Sequence, residues 1–251
     1  MLKDTDSILK DNSVILKDKR VLVIIPAFNE ERNLPGIIGR VREFAGIDVI
    51  VINDGSEDAT SAVARAAGAK VIDLPFNLGI GGAVQTGYLF AHKNDYDVAI
   101  QVDADGQHNP EDLLRIIGPV ISGEADMVLG SRYVAKTGYK TPFARKIGML
   151  VFSTVVSLIN KQPLKDTTSG YRAVSKRVIR FFVDNYPTDY PEVEALVLLK
   201  KSGFSIKEVP VTMAPREYGK SSITPIKSIY YMIKVLLAIF MNLLRAHKKE
   251  A

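Results

Sequence analysis

The chain has 251 residues, with 33 Lys and Arg against 28 Asp and Glu, a net charge of +5, no Cys and three His. This length is enough for one domain with a packed core. The lack of Cys excludes a disulfide framework, a thiolate nucleophile and a Cys-ligated metal, and three His disfavour a multi-histidine site, so any metal would be held mainly by oxygen.

The N-terminal residues 1–20 are interrupted by charged side chains every few positions. They contain no continuous apolar stretch of the kind found at the centre of a secretory signal, so a cytoplasmic location is expected. The tetrapeptide ILKD occurs twice within them, which is too brief to define a repeat. We therefore predict that 1–20 is a poorly ordered or loosely docked tail.

From residue 20 onward, apolar runs typical of strands alternate with patterns typical of helices. Strands are predicted at 21–27, 48–53, 69–74, 97–103 and 125–131, and helices near 31–45, 57–67, 80–92 and 110–122. This alternation predicts an α/β fold with a mostly parallel sheet and right-handed crossovers. Ligands bind at the carboxyl ends of the strands in such sheets, so the polar residues that follow each predicted strand are candidates for a site.

Two later segments, 143–160 and 225–245, are strongly apolar and carry Lys or Arg among or beside the apolar residues. Neither reaches the roughly 20 uncharged residues that a membrane span needs. Their composition favours amphipathic helices lying in the membrane interface, with cations toward the headgroups. The alternative is that both are buried core helices.

The basic excess is concentrated around these segments: residues 131–180 hold eleven Lys or Arg and one Asp. Such blocks indicate a solvated face, a phosphate site, nucleic acid or an anionic membrane. Here they are interleaved with apolar helices instead of exposed stacking aromatic residues, which disfavours nucleic acid.

The motif DADGQH directly follows the predicted strand 97–103. Its carboxylates, Asp103 and Asp105, can turn toward one point once the chain leaves the strand, and with Gln107 they offer oxygen ligands to Mg²⁺ or Mn²⁺ on a diphosphate. The alternative is a turn whose carboxylates cap the following helix.

Three other motifs end predicted strands. In VINDGS, Asp54 can accept hydrogen bonds from a base or ribose, or it can serve as a turn and helix cap. In PAFNEE, Glu30 can reach a nucleoside. The glycines of NLGIGGA allow a tight turn or close approach to a ligand, but the motif follows the third strand and does not read G-x-G-x-x-G, which disfavours a nicotinamide cofactor.

Together PAFNEE, VINDGS, NLGIGGA and DADGQH resemble the nucleotide-sugar-binding half of family 2 glycosyltransferases of the GT-A fold, over residues 21–135. The second half is similar to the polyprenyl-phosphate glycosyltransferases, a group that includes dolichol-phosphate mannose synthase. This second similarity is carried by GSRY (130–133), DTTSGYRA (166–173), PEVEA (191–195) and REYGKSS (216–222).

The resemblance implies a set of donor-binding residues and a metal site for Mg²⁺ or Mn²⁺. The implied donor-binding residues are Pro26, Phe28, Glu30, Asp54, Asn77, Gly79, Asp103 and Ala104. The implied metal ligands are Asp103, Asp105 and Gln107.

It also implies catalytic residues and an acceptor-phosphate site. The implied catalytic residues are Asp105, Asp166, Arg132, Arg172 and Arg216, and the acceptor-phosphate residues are Arg132, Arg172, Lys220 and Ser221. Taken alone, Arg132 and Arg172 could equally form ordinary surface salt bridges. A phosphate acceptor is largely ionised at neutral pH and needs no strong general base, although Asp166 and Glu194 are candidates for one.

The expected molecule is an α/β GT-A enzyme with a tail at 1–20, a glycosyltransferase domain at 21–223 that includes an amphipathic helix at about 142–160, and a C-terminal interface helix within 224–251. It would invert configuration while moving a monosaccharide from a UDP- or GDP-sugar to a polyprenyl phosphate. It would lie peripherally on the cytoplasmic side of an anionic membrane, without a transmembrane span or nucleic acid, and as a possible homo-oligomer. The alternatives are a soluble glycosyltransferase acting on a carbohydrate or protein hydroxyl, and a non-catalytic nucleotide-sugar-binding subunit.

Overall fold

The computed structural model describes residues 16, 18–134, 143–214, 234–237 and 240–241, with the backbone alone at 143–148. The described residues build one seven-stranded sheet. Its strands are β1 Val21–Ala27, β2 Ile47–Asn53, β3 Lys70–Asp73, β4 Val98–Gln101, β5 Met127–Ser131, β6 Arg172–Ser175 and β7 Ile206–Pro210.

Helices connect most of these strands and cover both faces of the sheet. They are α1 Leu34–Arg42, α2 Thr60–Ala66, α3 Gly79–Lys93, α4 Leu113–Ile121, α5 Phe143–Asn160, α6 Lys176–Asn185 and α7 Pro191–Lys201. A single 3₁₀ turn, Pro110–Asp112, precedes α4, and Asn109 Oδ1 caps it by accepting a hydrogen bond from Glu111 N at 3.3 Å.

The strand order is β3-β2-β1-β4-β6-β5-β7. Strand β6 runs antiparallel to β4 and β5, and every other pairing is parallel. The predicted mostly parallel sheet is confirmed, with each of the five predicted strands present. The sequence patterns missed β6 and β7, because a four-residue strand and a five-residue strand with two charged residues show little of the periodicity that marks longer strands.

Alternation along β1 divides the core into two layers. Leu22 and Ile24 face a cluster formed with α3, α5, α6 and α7, whereas Val21, Val23 and Ile25 face a second cluster formed with α1, α2 and α4. Both faces of β1 are therefore buried, which explains why its sequence is continuously apolar. Each such side chain contributes about 1.5–3 kcal/mol by leaving water.

The segment 143–160 forms the helix predicted for it. Phe152 and Val156 on this helix are buried in the core, while Leu150 and Leu158 are 67% and 73% exposed. The helix thus has one face in the core and one apolar face toward solvent. Nowhere in the described residues does a helix have the length and hydropathy to cross a membrane.

The two ends of the chain are described only in part. Leu16 is buried in the second cluster, so this residue of the predicted tail packs on the domain. Of the predicted C-terminal helix, 234–237 and 240–241 are helical, with Val235 buried and Leu237 exposed. Residues 1–15 and 17, and the rest of 225–245, lie outside the described part, and the proposed domain limits stay predictions.

Candidate active site

The turns that follow β1 and β2 are joined to each other by hydrogen bonds. Asn29 adopts a left-handed backbone with φ 57°, its amide donates to Ser56 Oγ at 2.9 Å, and its Oδ1 accepts from Glu57 N at 2.9 Å. The Glu30 amide donates to Thr60 Oγ1 at 2.8 Å. The motifs PAFNEE and VINDGS therefore form one rigid part of the sheet edge.

Asp54 joins this pair of turns to the start of α3. Its Oδ1 accepts from Leu78 N at 2.7 Å and its Oδ2 from Gly79 N at 3.0 Å, and the residue is buried. A carboxylate at this position satisfies amide groups that the first turn of a helix leaves unpaired. These contacts cap α3 and not α2, the helix that follows Asp54 in the sequence, and a contact with the nucleoside stays a prediction.

The loop Asn77-Leu78-Gly79 borders this edge. Gly79 has φ +79° and open space where a Cβ would lie, so glycine is needed there for its backbone conformation. Gly81, in contrast, lies against the chain at Thr188, whose carbonyl oxygen would be 2.2 Å from a Cβ. Of the glycines in NLGIGGA, the first makes a tight turn and a later one allows close packing.

Exposed aromatic and apolar side chains stand at the same edge, while the neighbouring Pro26 is buried. Phe28 and Phe76 lie in the turns after β1 and β3, and both are exposed along with Leu78. The backbone of Phe76 approaches within 2.7 Å of the position of a Cβ on Gly55, so the second and third turns are in direct contact. The edge offers flat apolar surfaces beside polar groups, as a nucleoside requires.

Asp103 lies just beyond β4 with its side chain one-third exposed. Gln101 Nε2 donates to its Oδ1 at 2.9 Å, and His108 Nε2 lies 3.5 Å from its Oδ2. Gly170 lies against the same carboxylate, since a Cβ there would be 2.8 Å from Oδ2. The Asp103 carboxylate therefore accepts a hydrogen bond from Gln101, lies beside His108 and Gly170, and still reaches solvent.

Asp105 is nearly buried, and its Oδ1 accepts from Gln107 N at 3.0 Å across a turn in which Gly106 has φ +77°. Gln107 Nε2 lies 3.5 Å from Ala214 O. Ala104, which separates Asp103 and Asp105 in the sequence, is buried. In the described residues no three His, Cys, Asp or Glu side chains cluster as a complete metal site. Two carboxylates with one amide fit a hard divalent ion that takes its other ligands from a bound diphosphate or water.

Arg132 and Asp166 form a buried ion pair. Arg132 Nε and Nη2 donate to the two carboxylate oxygens at 2.7 and 2.6 Å, and the Arg132 amide donates to Oδ2 at 2.9 Å. The Asp166 side chain is 0% exposed, whereas that of Arg132 is 13% exposed. Asp166 thus orients Arg132, and its burial in this pair speaks against the base function considered for it.

The prediction that Arg172 faces a phosphate is not what the structure shows. Arg172 is 1% exposed, and its guanidinium donates to backbone carbonyl oxygens on both sides. The acceptors belong to Thr167, Ser169, Pro191 and Glu192. Because Arg172 opens β6 and points inward, it ties the loop before β6 to the start of α7. Arg216, Lys220 and Ser221 lie outside the described residues.

The start of α7 places two acids near this region. Glu194 is buried, and Glu192 is partly buried beside Arg172. Burial raises the pKa of the Glu192 carboxyl, the charge of Arg172 opposes this shift, and the negative charge of Asp103 adds to it. Neither acid is fully exposed to solvent at the start of this helix.

We expect Glu192→Gln to change stability in a pH-dependent way. A carboxyl whose pKa is raised on folding binds its proton more tightly in the folded chain, so wild-type stability is greatest below the unfolded pKa and is lost as pH rises through the folded pKa. The variant carries no such proton. Its unfolding free energy relative to wild type should therefore increase as the pH rises above the ordinary Glu pKa of about 4.3.

Urea unfolding at several pH values measures this difference. Glu43→Gln, at an exposed carboxyl, is the matched control and should show no comparable trend. A difference between Glu192→Gln and wild type that stays constant with pH would contradict the prediction.

Several residues of this region were not found by sequence reasoning. Gln101 and His108 contact Asp103, and the Tyr171 ring stacks on His108 with centroids 4.5 Å apart. Gln101 shares a strand face with Asp103 two residues later, and this spacing was an available signal. The contact between Tyr171 and His108 joins segments 63 positions apart and had no local signal.

The model of glycosyl transferase family 2 matches residues 22–185. Together with the fold and the carboxylate pair at the sheet edge, this match defines a glycosyltransferase with a GT-A-type, Rossmann-like sheet. The chain belongs to glycosyl transferase family 2.

Two relatives within this family transfer sugars to polyprenyl phosphates, according to their names. The chain is 30% identical over 241 residues to the UDP-N-acetylglucosamine–dolichyl-phosphate N-acetylglucosaminyltransferase of Methanococcus voltae, covering 87% of this chain and 96% of that one. It is 33% identical over 218 residues to the polyprenol monophosphomannose synthase of Mycolicibacterium smegmatis, covering 82% of each chain. The similarity to polyprenyl-phosphate glycosyltransferases is thus confirmed.

A solved structure supports the fold. Glucosyl-3-phosphoglycerate synthase from Mycobacterium tuberculosis, crystallised with Mn²⁺, UDP and phosphoglyceric acid, superposes with a TM-score of 0.70 at 17% identity. The match covers 93% of this chain and 81% of that one. The GT-A-type architecture predicted from the motifs is therefore confirmed.

Proposed function

We propose that this glycosyltransferase moves a monosaccharide from a UDP- or GDP-sugar to a polyprenyl phosphate, with inversion at the anomeric carbon. The observation that carries the proposal is the constrained carboxylate pair, Asp103 and Asp105, at the sheet edge of a chain whose relatives are named for transfer to dolichyl and polyprenol phosphates. The turns that carry Phe28, Glu30, Asp54, Asn77 and Gly79 would receive the nucleoside beside that pair.

Asp103, Asp105 and Gln107 would hold Mg²⁺ or Mn²⁺. When bound, such an ion supplies charge neutralisation for the departing nucleoside diphosphate. The crystallised structural neighbour contains Mn²⁺ and UDP, which supports a divalent ion in a fold of this kind. The chain's own contribution is to orient Asp103 before any ligand arrives, through the hydrogen bond from Gln101, while Gly170 leaves room for the carboxylate.

The acceptor phosphate brings a second anion toward the donor diphosphate. At a few ångströms, the repulsion between two unit charges costs about 1–4 kcal/mol, depending on the local dielectric. Arg132 is suited to offset this cost because Asp166 holds its guanidinium in one orientation. We propose that Arg216, Lys220 and Ser221 also face a phosphate group. Arg172 is left out of this set because its side chain is buried.

The reaction is then a single displacement. A phosphate oxygen of the acceptor attacks the anomeric carbon, and the bond to the diphosphate breaks. A phosphate has its second pKa at about 6 and is mostly ionised at neutral pH, so no general base is needed. Catalysis consists of positioning and charge stabilisation.

A peripheral position on the cytoplasmic face of a membrane completes the proposal. Leu150 and Leu158 lie eight residues apart on the exposed face of α5, and Leu237, Phe240 and Met241 are exposed as well. Exposed apolar side chains on helices flanked by basic residues suit the boundary between headgroups and acyl chains. The second candidate, a soluble enzyme that self-associates through this face, is favoured by the same exposure.

The function is tested by incubating the purified chain with radiolabelled UDP- and GDP-sugars, Mg²⁺ or Mn²⁺, and undecaprenyl or dolichyl phosphate. We expect label in the organic phase with one donor and only when metal is present. Label confined to water-soluble products would favour the soluble enzyme, and no transfer with any donor would favour a binding subunit.

The membrane position is tested by replacing both exposed leucines of α5 with glutamine. Leu150→Gln with Leu158→Gln should lower binding to anionic liposomes by at least about 100-fold, since each fully inserted leucine contributes roughly 1.5–3 kcal/mol and the two together about 3–6 kcal/mol. Leu89→Gln, at an exposed leucine of α3, is the matched control. Equal liposome binding by all three proteins, or none by wild type, would contradict the proposal.

A further inference from the structure

Glu208 accepts hydrogen bonds from two consecutive backbone amides of the loop before β6. The Asp166 amide donates to its Oε1 at 2.7 Å, and the Lys165 amide donates to its Oε1 at 3.0 Å and to its Oε2 at 2.9 Å. The same loop is attached to β7 at a second point, where Gln162 Nε2 donates to Ile206 O at 2.7 Å. Strand β7 therefore fixes the backbone of Asp166.

The position of Glu208 is an unfavourable one for an acid. Glu208 follows Ile206 by two residues, so both side chains lie on the same face of β7, and Ile206 is buried in the core cluster formed with α3, α5, α6 and α7. Burial raises the pKa of the Glu208 carboxyl, the amides of Lys165 and Asp166 oppose this shift, and the negative charge of Asp166 adds to it. A carboxylate is costly to place there unless it makes specific contacts. The two amides supply such contacts.

The hydrogen bonds continue from Asp166 to Arg132. The Asp166 carboxylate accepts from the Arg132 amide, Nε and Nη2. Arg132 directly follows β5, and Leu129 of that strand is paired with Glu208. Glu208, Asp166 and Arg132 thus come from three separate segments and form one connected series of contacts. The guanidinium is the member of the Asp166–Arg132 pair that reaches solvent.

We infer that Glu208 is a positioning residue for Arg132 and acts through Asp166. The inference rests on the proposed function, in which Arg132 faces the acceptor phosphate. Without the two acceptor oxygens, the backbone at Asp166 can shift, and the carboxylate that orients the guanidinium shifts with it. A misplacement of about 1 Å can cost roughly 100-fold in rate when a group must be held in one geometry. Removing Glu208 should therefore affect use of the acceptor and not of the donor.

Steady-state kinetics with undecaprenyl phosphate test the inference. In Glu208→Ala, kcat/KM for undecaprenyl phosphate should fall about 10- to 100-fold through a higher KM, while KM for the nucleotide sugar keeps its wild-type value. A purely structural role predicts a different result, because a partly unfolded preparation lowers kcat and leaves both KM values unchanged. Glu124→Ala is the matched control, since it removes an exposed acid that pairs with Lys207 of the same strand, and it should keep both wild-type KM values.

A second background shows whether the effect passes through Arg132. The guanidinium is absent in Arg132→Met, so adding Glu208→Ala should change kcat/KM for undecaprenyl phosphate by less than about 2-fold further. Effects of the two substitutions that multiply would mean that Glu208 acts independently of Arg132, and would overturn the inference. A wild-type KM for undecaprenyl phosphate in Glu208→Ala would overturn it as well.

Glu208→Gln covers the case in which Glu208→Ala does not fold. Its side chain has nearly the same size and keeps one acceptor oxygen for the two amides, so KM for undecaprenyl phosphate should rise about 2- to 10-fold, as expected for the loss of one hydrogen bond. A KM equal to that of wild type in folded Glu208→Gln would overturn the inference while leaving the proposed function intact. Absence of transfer by wild type would overturn the proposed function itself, and is seen before any variant is compared.

Discussion

Replacing Asp105 with asparagine should lower sugar transfer to the polyprenyl phosphate by about 100- to 1,000-fold. The change removes one of two carboxylates that would bind the divalent ion, and charge stabilisation by such an ion accounts for several kcal/mol of the barrier. The size and hydrogen-bonding capacity of the side chain are almost kept, so the turn to Gln107 N can persist. Initial rates of label entering the organic phase, at saturating donor, measure the effect.

A control variant and a stability measurement make this test specific. Glu111→Gln removes an exposed carboxylate six residues further along the chain and should transfer sugar at the wild-type rate. Thermal unfolding of both variants shows whether the fold is kept. If folded Asp105→Asn transferred sugar at the wild-type rate, Asp105 would have no part in the mechanism. The alternative of a non-catalytic nucleotide-sugar-binding subunit would then be favoured.

Replacing Asp166 with alanine should lower the free energy of unfolding by about 3–5 kcal/mol. Asp166 is fully buried and accepts three hydrogen bonds from Arg132, so its removal leaves a mostly buried guanidinium without its partner. Urea unfolding of the purified variant measures the loss. Asp184→Ala, at an exposed acid of α6, should stay within about 0.5 kcal/mol of wild type.

A second pair of changes separates the loss of charge pairing from the loss of packing. Replacing Asp166 with leucine and Arg132 with methionine together removes both charges, and should recover much of the stability lost in Asp166→Ala. The double variant should still transfer sugar poorly, since Arg132 is proposed to face the acceptor. If Asp166→Ala unfolds like wild type, the ion pair is not the stabilising contact that its geometry indicates.

The glycosyltransferase class could be predicted from the sequence because the motifs that indicate it are local. Strand β1 is continuously apolar and buried on both faces, and DADGQH follows a strand within a few residues. Such short-range patterns can be recognised in the sequence, because the alternation of apolar residues and the turn that follows depend on neighbouring residues. The five predicted strands and the helix at 143–160 are the result.

The buried position of Arg172 could not be predicted from the sequence, because it depends on contacts between distant residues. In the sequence it is a basic residue within a motif shared with phosphate-handling enzymes, and nothing nearby shows which way it points. Only the pairing of β6 between β4 and β5 turns it inward, where it contacts carbonyl oxygens of the loop before β6 and of the start of α7. A buried arginine of this kind is satisfied by backbone groups that no sequence window brings together.

The sequence by itself determined the enzyme class, the oxygen-rich candidate metal site and the alternating strands and helices, since each depends on residues close together in the chain. Tertiary structure alone decided which polar groups face one another. Asp166 holds Arg132 from 34 positions away, and Tyr171, directly before the antiparallel strand that the sequence patterns missed, stacks on His108. These contacts depend on the order of strands in the sheet, which is set by packing of the whole core and not by any local preference.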